Sequence, residues 1–477
     1  MIPANIIDND VDVEASRALA PTFYRAPHPE NHLPKQYQHA GVEYAIQRNN
    51  RIIGDAPGVG KTAQGIFLSN ALRAKRTLVV APASLRLNWE REIWRWSTTE
   101  NVQTYPVMKS GDGISSSSNY TIISYDLLRN PAIFDAIMDL RWDHLILDEA
   151  HAIKDPKGNQ RTRLICAPDA LPSVVGTITL LSGTLLPNQP IECYNAIRLC
   201  NWDAIGRASL DDFRDFYYAE GGGWVRINGE LKYSKKVRNV PRNLEDLQYR
   251  LRKYLMVRRL KDDVLPELPP KQWRPFPMPL TADIRRAMAH PGWSAAEKLY
   301  DMDPSSFNGN VPIDGAISTA RLMLGLAKAP ATIEYIEDLL ESGVEKVVIG
   351  AWHTQVLHMM RDKLSKYGLV YMDGSTSDAK KQKAVDGFQQ DPAFRIILGQ
   401  MLPLGEGWTL TAAKDVVIAE PFWVPGKNEQ LADRCHRLGQ VDNVQVHIPV
   451  VPGTLDERIL GSTIEKDKNI YKALDAR

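Results

Sequence analysis

Two sets of short, uninterrupted apolar runs constrain this chain more than any other feature. "RIIG", "TLVVAP", "TIISY", "HLILDE" and "ITLLSG" fall between residues 51 and 183; "KVVIGAW", "LVYMDG", "FRIILGQ", "DVVIAE" and "VQVHIPV" fall between 346 and 450. The runs are continuous rather than alternating, which is the pattern of strands buried on both faces of a parallel sheet. Segments with helical apolar spacing separate them. The rhythm predicts an α/β fold of two tandem doubly wound parallel-sheet lobes with helical insertions. With 477 residues, the chain is also too long for a single core.

Composition changes between and around the two sets. Residues 1–34, which include "APTFYRAPHPENHLP", read as a polar, proline-rich arm. Residues 35–204 form the first lobe. Residues 205–265, with "GGG" and the basic stretch "LQYRLRKYLMVRRLK", read as a helical basic insertion. A connector over 266–280, which takes up all but the first residue of "LPELPPKQWRPFPMPL", resists both helix and central strand and suggests a semi-rigid hinge. A helical insertion over 281–330, the second lobe over 331–460 and a terminal helix over 461–477 complete the expected order.

The turn after the first run is "DAPGVGKT", residues 55–62. Gly58 and Gly60 let backbone N–H groups approach a phosphate, Lys61 reaches the outer phosphates, and Thr62 offers a hydroxyl to magnesium. Asp55 stands where the common pattern G-x-x-x-x-G-K-[ST] begins with glycine. An ordinary glycine turn is the plain alternative, so the rest of the chain must decide. "HLILDEAH" ends a buried run with Asp148 and Glu149, at the strand end where ligands of parallel sheets sit. One carboxylate suits magnesium and the next suits orienting and deprotonating the attacking water. Acidic capping of a helix is the alternative.

A third cluster is "NEQLADRCHRLGQ". If 428–438 is helical, Gln430, Arg434 and Arg437 share one face. Such a face, carried by the second lobe, can place guanidinium charge on a γ-phosphate, with nucleotide expected between the lobes. A solvated basic helix face is the alternative.

Net charge is only +1, from 58 basic and 57 acidic residues, so any nucleic-acid surface must be a local patch. Arg250, Arg252, Lys253, Arg258, Arg259 and Lys261 form one candidate. They either grip a phosphate backbone or line the solvated side of a helix whose Leu251, Leu255 and Met256 pack inward. In "NWEREIWRW", the spacing of Trp89, Ile93 and Trp96 favours a core face over stacking on bases. The four cysteines (Cys166, Cys193, Cys200, Cys435) lack C-x-x-C spacing, which fits reduced thiols rather than a disulfide framework or zinc ribbon. The acidic N-terminus has no basic n-region, and no apolar run reaches the ~20 residues that span a bilayer.

Taken in order, these motifs resemble a superfamily-two helicase motor of the Swi/Snf type, from about 35 to 465. "LPKQYQHAGVEYA" is similar to that family's adenine-side glutamine segment, and "DAPGVGKTAQ" to its phosphate loop, which also starts with Asp. "TLVVAPASLRLNWEREI", "TIISYDLL", "DEAH", "SGTLLPN", "KVVIGAWHTQV", "DGST", "GEGWTLTAA" and "QLADRCHRLGQ" follow in the family's order. "VRRLKDDVLPELPPK" is particular to the Swi/Snf branch, and "IEYIEDLLESGVEKVVIGAWH" with "AEPFWVPGKNEQ" is similar to its annealing-helicase (HARP-type) subgroup. Ala56-Pro57 and Trp408-Thr409 depart from the more frequent Glu-Met and Leu-Asn of the family.

The resemblance implies two RecA-like lobes and a DNA-stimulated ATPase using ATP and Mg2+. It implies translocation on duplex DNA, with fork remodelling or strand annealing in prospect; a strand-separating DNA or RNA helicase and a subunit of a larger repair or restriction assembly are the alternatives. Gln38, Gly58, Val59, Gly60, Lys61 and Thr62 are implied to bind the nucleotide, Thr62 and Asp148 the metal, and Glu149 to activate water. Gln430, Arg434 and Arg437 are implied to complete catalysis, and His151, Ser182 and Thr184 to couple the motifs. Implied DNA contacts are Ser84, Asn88, Trp89, Ser124 and Tyr125 in the first lobe, and His353, Gly374, Ser375, Gly407 and Thr409 in the second. The partner expected is double-stranded or forked DNA, with no membrane and a monomeric state. A bacterial or viral source with a cytoplasmic or nucleoid location is expected, or a nuclear one in a eukaryote.

Overall fold

Each set of apolar runs builds one sheet. The structure, a computed structural model, describes residues 10–156, 158–183, 185–186, 189–206, 209–227, 230–290, 293, 315–405, 407–422 and 424–475. The chain divides into two units: Met1–Tyr218 with Pro241–Pro266 and Asn469–Arg477, and Ala219–Val240 with Glu267–Lys468.

The first unit holds strands β1 (Arg51–Ile53), β2 (Thr77–Ala81), β3 (Thr104–Pro106), β4 (Tyr120–Ser124), β5 (Trp142–Asp148), β6 (Val175–Leu181) and β9 (Met256–Val257). They pair in the order β3-β4-β2-β5-β6-β1-β9, with every pairing parallel. Consecutive residues of β2 show why the runs are continuous. Leu78 and Val80 join one core cluster, whereas Val79 and Ala81 join the cluster on the opposite face. Side chains alternate across a strand, so covering both faces requires every position to be apolar. Each buried Val, Leu or Ile contributes about 1.5–3 kcal/mol.

The second unit repeats this logic. Strands β10 (Lys271–Pro277), β11 (Val347–Ala351), β12 (Leu369–Met372), β13 (Ile396–Gln400), β14 (Asp415–Ile418) and β15 (Val444–Val450) form a parallel sheet, order β10-β15-β14-β11-β13-β12. Val348 and Ile397 pack on one face, Val347, Ile349, Ile396 and Leu398 on the other.

Several expected segments need correction. The insertion expected to be helical over 205–265 contains a two-stranded hairpin, β7 (Tyr218–Ile227) and β8 (Glu230–Pro241). Val, Ile, Tyr and Trp in this stretch favour strands. The rest of that segment returns to the first unit as helix Leu244–Tyr254 and strand β9. The proline-rich connector includes β10, an edge strand that carries Pro275 and Pro277 where missing N–H donors are tolerated. The boundary expected at 330 falls inside a helix, while residues 291–292 and 294–314 of the expected insertion lie outside the described residues. Helix Gly315–Glu341 packs Ala329, Ile333, Ile336 and Leu340 onto one face of the second sheet. The described part of the arm, from residue 10, is docked rather than loose: Glu43 accepts the N–H groups of Thr22 and Phe23 at 2.7 and 2.9 Å. The terminal helix starts at Leu455, and its last residues belong to the first unit. No described helix is long and apolar enough to cross a membrane.

Candidate active site

The phosphate loop leaves β1 and enters helix Lys61–Ala71. Gly58 and Gly60 have φ of +86° and +80°, a region glycine adopts without strain. A Cβ on Gly60 would also lie 2.4 Å from the Gln38 amide. The glutamine segment sits against the loop: Tyr37 Oη donates to Val59 O at 3.0 Å, and Gln38 Nε2 reaches Gly60 O at 3.5 Å. Lys61 Nζ donates to the carbonyls of Asp55 and Ala56 at 2.9 and 3.1 Å. From the far side, Ser182 N donates to Ile53 O at 3.2 Å, and a Cβ on Gly183 would meet Pro57 at 2.8 Å and Lys61 Nζ at 3.0 Å. Thr184 lies outside the described residues.

Asp148 closes β5 and Glu149 follows with φ of +49°. Burial, and then the neighbouring Glu149 charge, raise the Asp148 carboxyl to about 6, while the Trp89 hydrogen bond and the Lys61 charge pull against that rise. Trp89 Nε1 donates to Asp148 Oδ2 at 2.8 Å, and Glu149 N donates to Oδ1 at 2.9 Å. Glu149 Oε2 lies 3.2 Å from His151 Nδ1. One end of the sheet thus gathers Gln38, Gly58, Val59, Gly60, Lys61 and Thr62 with Asp148, Glu149, His151 and Ser182.

The DNA contacts expected in the first unit fare differently. Trp89 is fully buried beneath Asp148, and Ser84, Ser124 and Tyr125 are buried too; only Asn88 is half-buried. Tyr125 Oη donates to Asp148 O at 2.7 Å. These aromatic groups therefore support the acidic pair from within and present no surface to a phosphate. Trp89, Ile93 and Trp96 all face the core.

In the second unit, helix Pro425–Ala432 stops before the arginines. The expected helical face over 428–438 is thereby corrected: Arg434 and Arg437 lie on a turn that follows the helix. Arg434 is buried, its Nε donating to Gln430 O at 2.8 Å. Arg437 is half-buried; its Nη1 reaches Gly407 O and Thr409 Oγ1, both at 3.4 Å. Gly374, Ser375 and Thr409 are exposed, and Gly407 is half-exposed. Asp373 shapes the loop before them: its Oδ1 accepts Ser375 N and Oγ at 2.9 and 2.7 Å, and these contacts, the Ser375 hydroxyl first, hold its carboxyl down to about 2. His353 Nδ1 sits 2.6 Å from the buried Glu420 carboxylate, which leaves 12% of the His353 side chain exposed.

The basic stretch fits neither of its two expected roles. Arg252, Arg258, Arg259 and Lys261 are buried. Arg252 Nη2 donates to Leu474 O at 2.7 Å, Arg250 pairs with Asp246 at 2.9 Å and Lys253 with Asp10 at 2.6 Å. Arg258 grips Asp475 through Nε and Nη2 at 2.6 and 2.8 Å. Arg259 holds Asp55: burial pushes that carboxyl up, but the Arg259 guanidinium, the Gln64 hydrogen bond and the Lys61 charge together lower it. The acidic first residue of the phosphate loop is thus the partner of a buried arginine.

Comparison with known proteins gives a consistent likeness. Residues 37–305 match the family described as "SNF2-related domain", and residues 331–439 match "Helicase conserved C-terminal domain". Among curated proteins, the chain is 32% identical over 450 residues to "SWI/SNF-related matrix-associated actin-dependent regulator of chromatin subfamily A-like protein 1" of Xenopus tropicalis, covering 92% of this chain and 44% of the relative. It is 30% identical over 458 residues to "DNA annealing helicase and endonuclease ZRANB3" of Homo sapiens, covering 92% of this chain and 40% of the relative. The chain therefore spans less than half the length of these relatives. A solved structure, "Sulfolobus solfataricus SWI2/SNF2 ATPase core in complex with dsDNA", aligns over 95% of this chain and 100% of that one, at 20% identity and a TM-score of 0.44.

Proposed function

We propose that this chain, which belongs to the SNF2-related family of helicase-like ATP-hydrolysing enzymes, is a DNA-stimulated ATPase that moves along duplex DNA and remodels DNA structures. The observation that carries the reading is the gathering of Lys61, Asp148 and Glu149 around a loop whose Gly58 and Gly60 hold positive φ beside the Gln38 amide. The donor set fits a magnesium-bound triphosphate. Loop N–H groups and Lys61 complement phosphate charge, and a carboxylate and hydroxyl suit the metal's preference for oxygen.

Lys61 would exchange its two loop carbonyls for phosphate oxygens. Thr62 and Asp148 would hold the magnesium ion, which when bound supplies charge to the phosphate oxygens. Glu149, aligned by its backbone contact to Asp148 and by His151, would orient water and take its proton. Arg434 and Arg437 are the second unit's candidates for stabilising charge on the phosphates in the transition state.

Gly374, Ser375 and Thr409, exposed, and half-exposed Gly407 would suit a phosphate backbone, with Ser375 exchanging its Asp373 contacts for phosphate oxygens, because such small donors position a duplex without reading its bases. The Arg437 contacts to Gly407 and Thr409 join one of these loops to the arginine turn. That join is a direct route by which DNA contact reaches the catalytic turn.

ATP hydrolysis measured with duplex, forked and single-stranded DNA and with RNA tests the proposal, followed by triplex displacement for movement. Strong stimulation by duplex or forked DNA together with displacement is expected. Stimulation by RNA alone, or none by any DNA, contradicts the reading.

A further inference from the structure

Residues 257–259 run alongside the phosphate loop as a backbone partner. Gly54 N donates to Val257 O at 2.8 Å, and Ala56 N donates to Arg259 O at 3.0 Å. Side chains then add to this pairing. Arg259 N and Nε both reach Asp55 Oδ1 at 2.9 Å, and Nη2 holds Asp55 Oδ2 and also Gln64 Oε1, the latter at 2.9 Å. Arg259 Nη1 donates to Tyr37 O, next to Gln38. One guanidinium therefore ties the loop's first residue, the helix behind Lys61 and the glutamine segment. Arg258 Nη1 adds Gly54 O at 2.7 Å and Gly183 O at 3.1 Å.

The same stretch of chain continues into the second unit, whose residues begin at Glu267. There Lys271 Nζ pairs with Glu429 and, at 2.9 Å, with Asp433. Both carboxylates belong to the segment that delivers Arg434 and Arg437. Pro269 O lies 2.8 Å from His436 Nε2, on the turn itself. Lys271 keeps only 14% of its side chain exposed.

We infer that residues 258–271 act as one positioning strap: Arg259 sets the phosphate loop through Asp55, and Lys271 sets the arginine turn through Glu429 and Asp433. The inference rests on the proposed hydrolysis of ATP by Lys61 and Arg434. None of these groups touches a reacting atom, so their removal shifts kinetic constants through the residues they hold. The two ends of the strap act on different constants. The loop governs nucleotide binding, and the arginine turn governs the charge that develops during hydrolysis.

The test uses Arg259→Lys and Lys271→Gln in the full chain, with fluorescent ATP-analogue binding, steady-state hydrolysis on duplex DNA and thermal melting measured together. Arg259→Lys keeps a charge beside Asp55, so the fold survives, but it loses the fork that joins three segments. It should weaken analogue binding about tenfold and raise the ATP KM similarly while sparing kcat. Lys271→Gln should lower kcat about tenfold with analogue affinity unchanged, and Lys271→Arg should restore most of it.

A purely structural role would lower the melting temperature and leave both constants at parental values per folded molecule. That result overturns the inference. Analogue binding needs no hydrolysis, so the Arg259 arm stands even if the parent proves inactive on DNA. An inactive parent counts against the proposed function, whereas an active parent with unmoved variants counts against the strap alone.

Discussion

The phosphate loop and the arginine turn are both held by a charged side chain from residues 258–271, yet the two attachments differ in depth. Asp55 and Arg259 are 0% and 1% exposed and are joined within a parallel backbone pairing. Lys271, from the edge strand of its sheet, shares its charge between the buried Asp433 and Glu429, which is 30% exposed. A buried pair leaves an uncompensated charge when one partner is removed, whereas water and salt can replace a partner at a half-open site. The loop is thus built to keep one shape, and the turn is free to be adjusted at lower cost.

The largest expected effect breaks this comparison at its catalytic residues. Lys61→Ala and Arg434→Ala should each lower DNA-stimulated kcat by at least about 10³-fold. They should differ in binding: a fluorescent nucleotide should bind poorly to the Lys61 variant and near normally to the Arg434 variant. Equal loss of affinity in both would erase the distinction between a binding loop and a catalytic turn.

Stability sharpens the comparison next. Arg259→Met strands the Asp55 carboxylate and should cost roughly 3–5 kcal/mol in urea unfolding. Lys271→Met should cost less, about 1–3 kcal/mol, because Glu429 reaches water although Asp433 stays buried. Adding Asp55→Gly to Arg259→Met should recover most of the larger loss, since the stranded charge is then gone.

Much of this arrangement can be read from the chain, and the remainder has identifiable reasons for being hidden. The continuous runs disclose the central strands, because burial on both faces demands apolar residues at every position. Strand β3 has three residues, β9 has two, and β10 carries two prolines, so none offers a period long enough to recognise. Lys61, Asp148 and Glu149 stand out because their chemistry is compressed into short motifs. The roles of Arg258 and Arg259 do not, since their partners Asp475 and Asp55 lie 217 and 204 residues away. A run of charges looks the same whether it faces water, DNA or distant carboxylates. Trp89 misleads for a similar reason: a side chain under the acidic pair and one on a DNA surface occupy the same motif position.

On the DNA side the expected effects are smaller. Ser375→Ala and Thr409→Ala should each weaken duplex binding modestly. Neither hydroxyl carries charge, so the slope of log K against log [salt], which counts phosphates neutralised by cations, should stay at the parental value. Ser124→Ala, buried in the first unit, should leave duplex affinity itself unchanged. Weakened duplex binding by Ser124→Ala would place DNA against a region that now reads as interior.

The gentlest test is pH. The Asp148 carboxyl is raised from 3.8 to about 6, so it carries its negative charge only above that value. ATPase activity should fall as pH drops through about 6, and added magnesium should move that fall to lower pH by competing with the proton. For stability the sign is opposite. A raised carboxyl favours the folded state at low pH, and this contribution is lost as pH rises from 3.8 to about 6. Activity should therefore gain across the same interval in which the fold gives up a little stability.

The most direct measurement is the rate of ATP hydrolysis with and without duplex DNA, for the parent and for Lys61→Ala. A rate that rises on adding duplex DNA and disappears in the variant is the predicted result. A parental rate indifferent to duplex DNA, or a variant that hydrolyses ATP at the parental rate, would contradict the account.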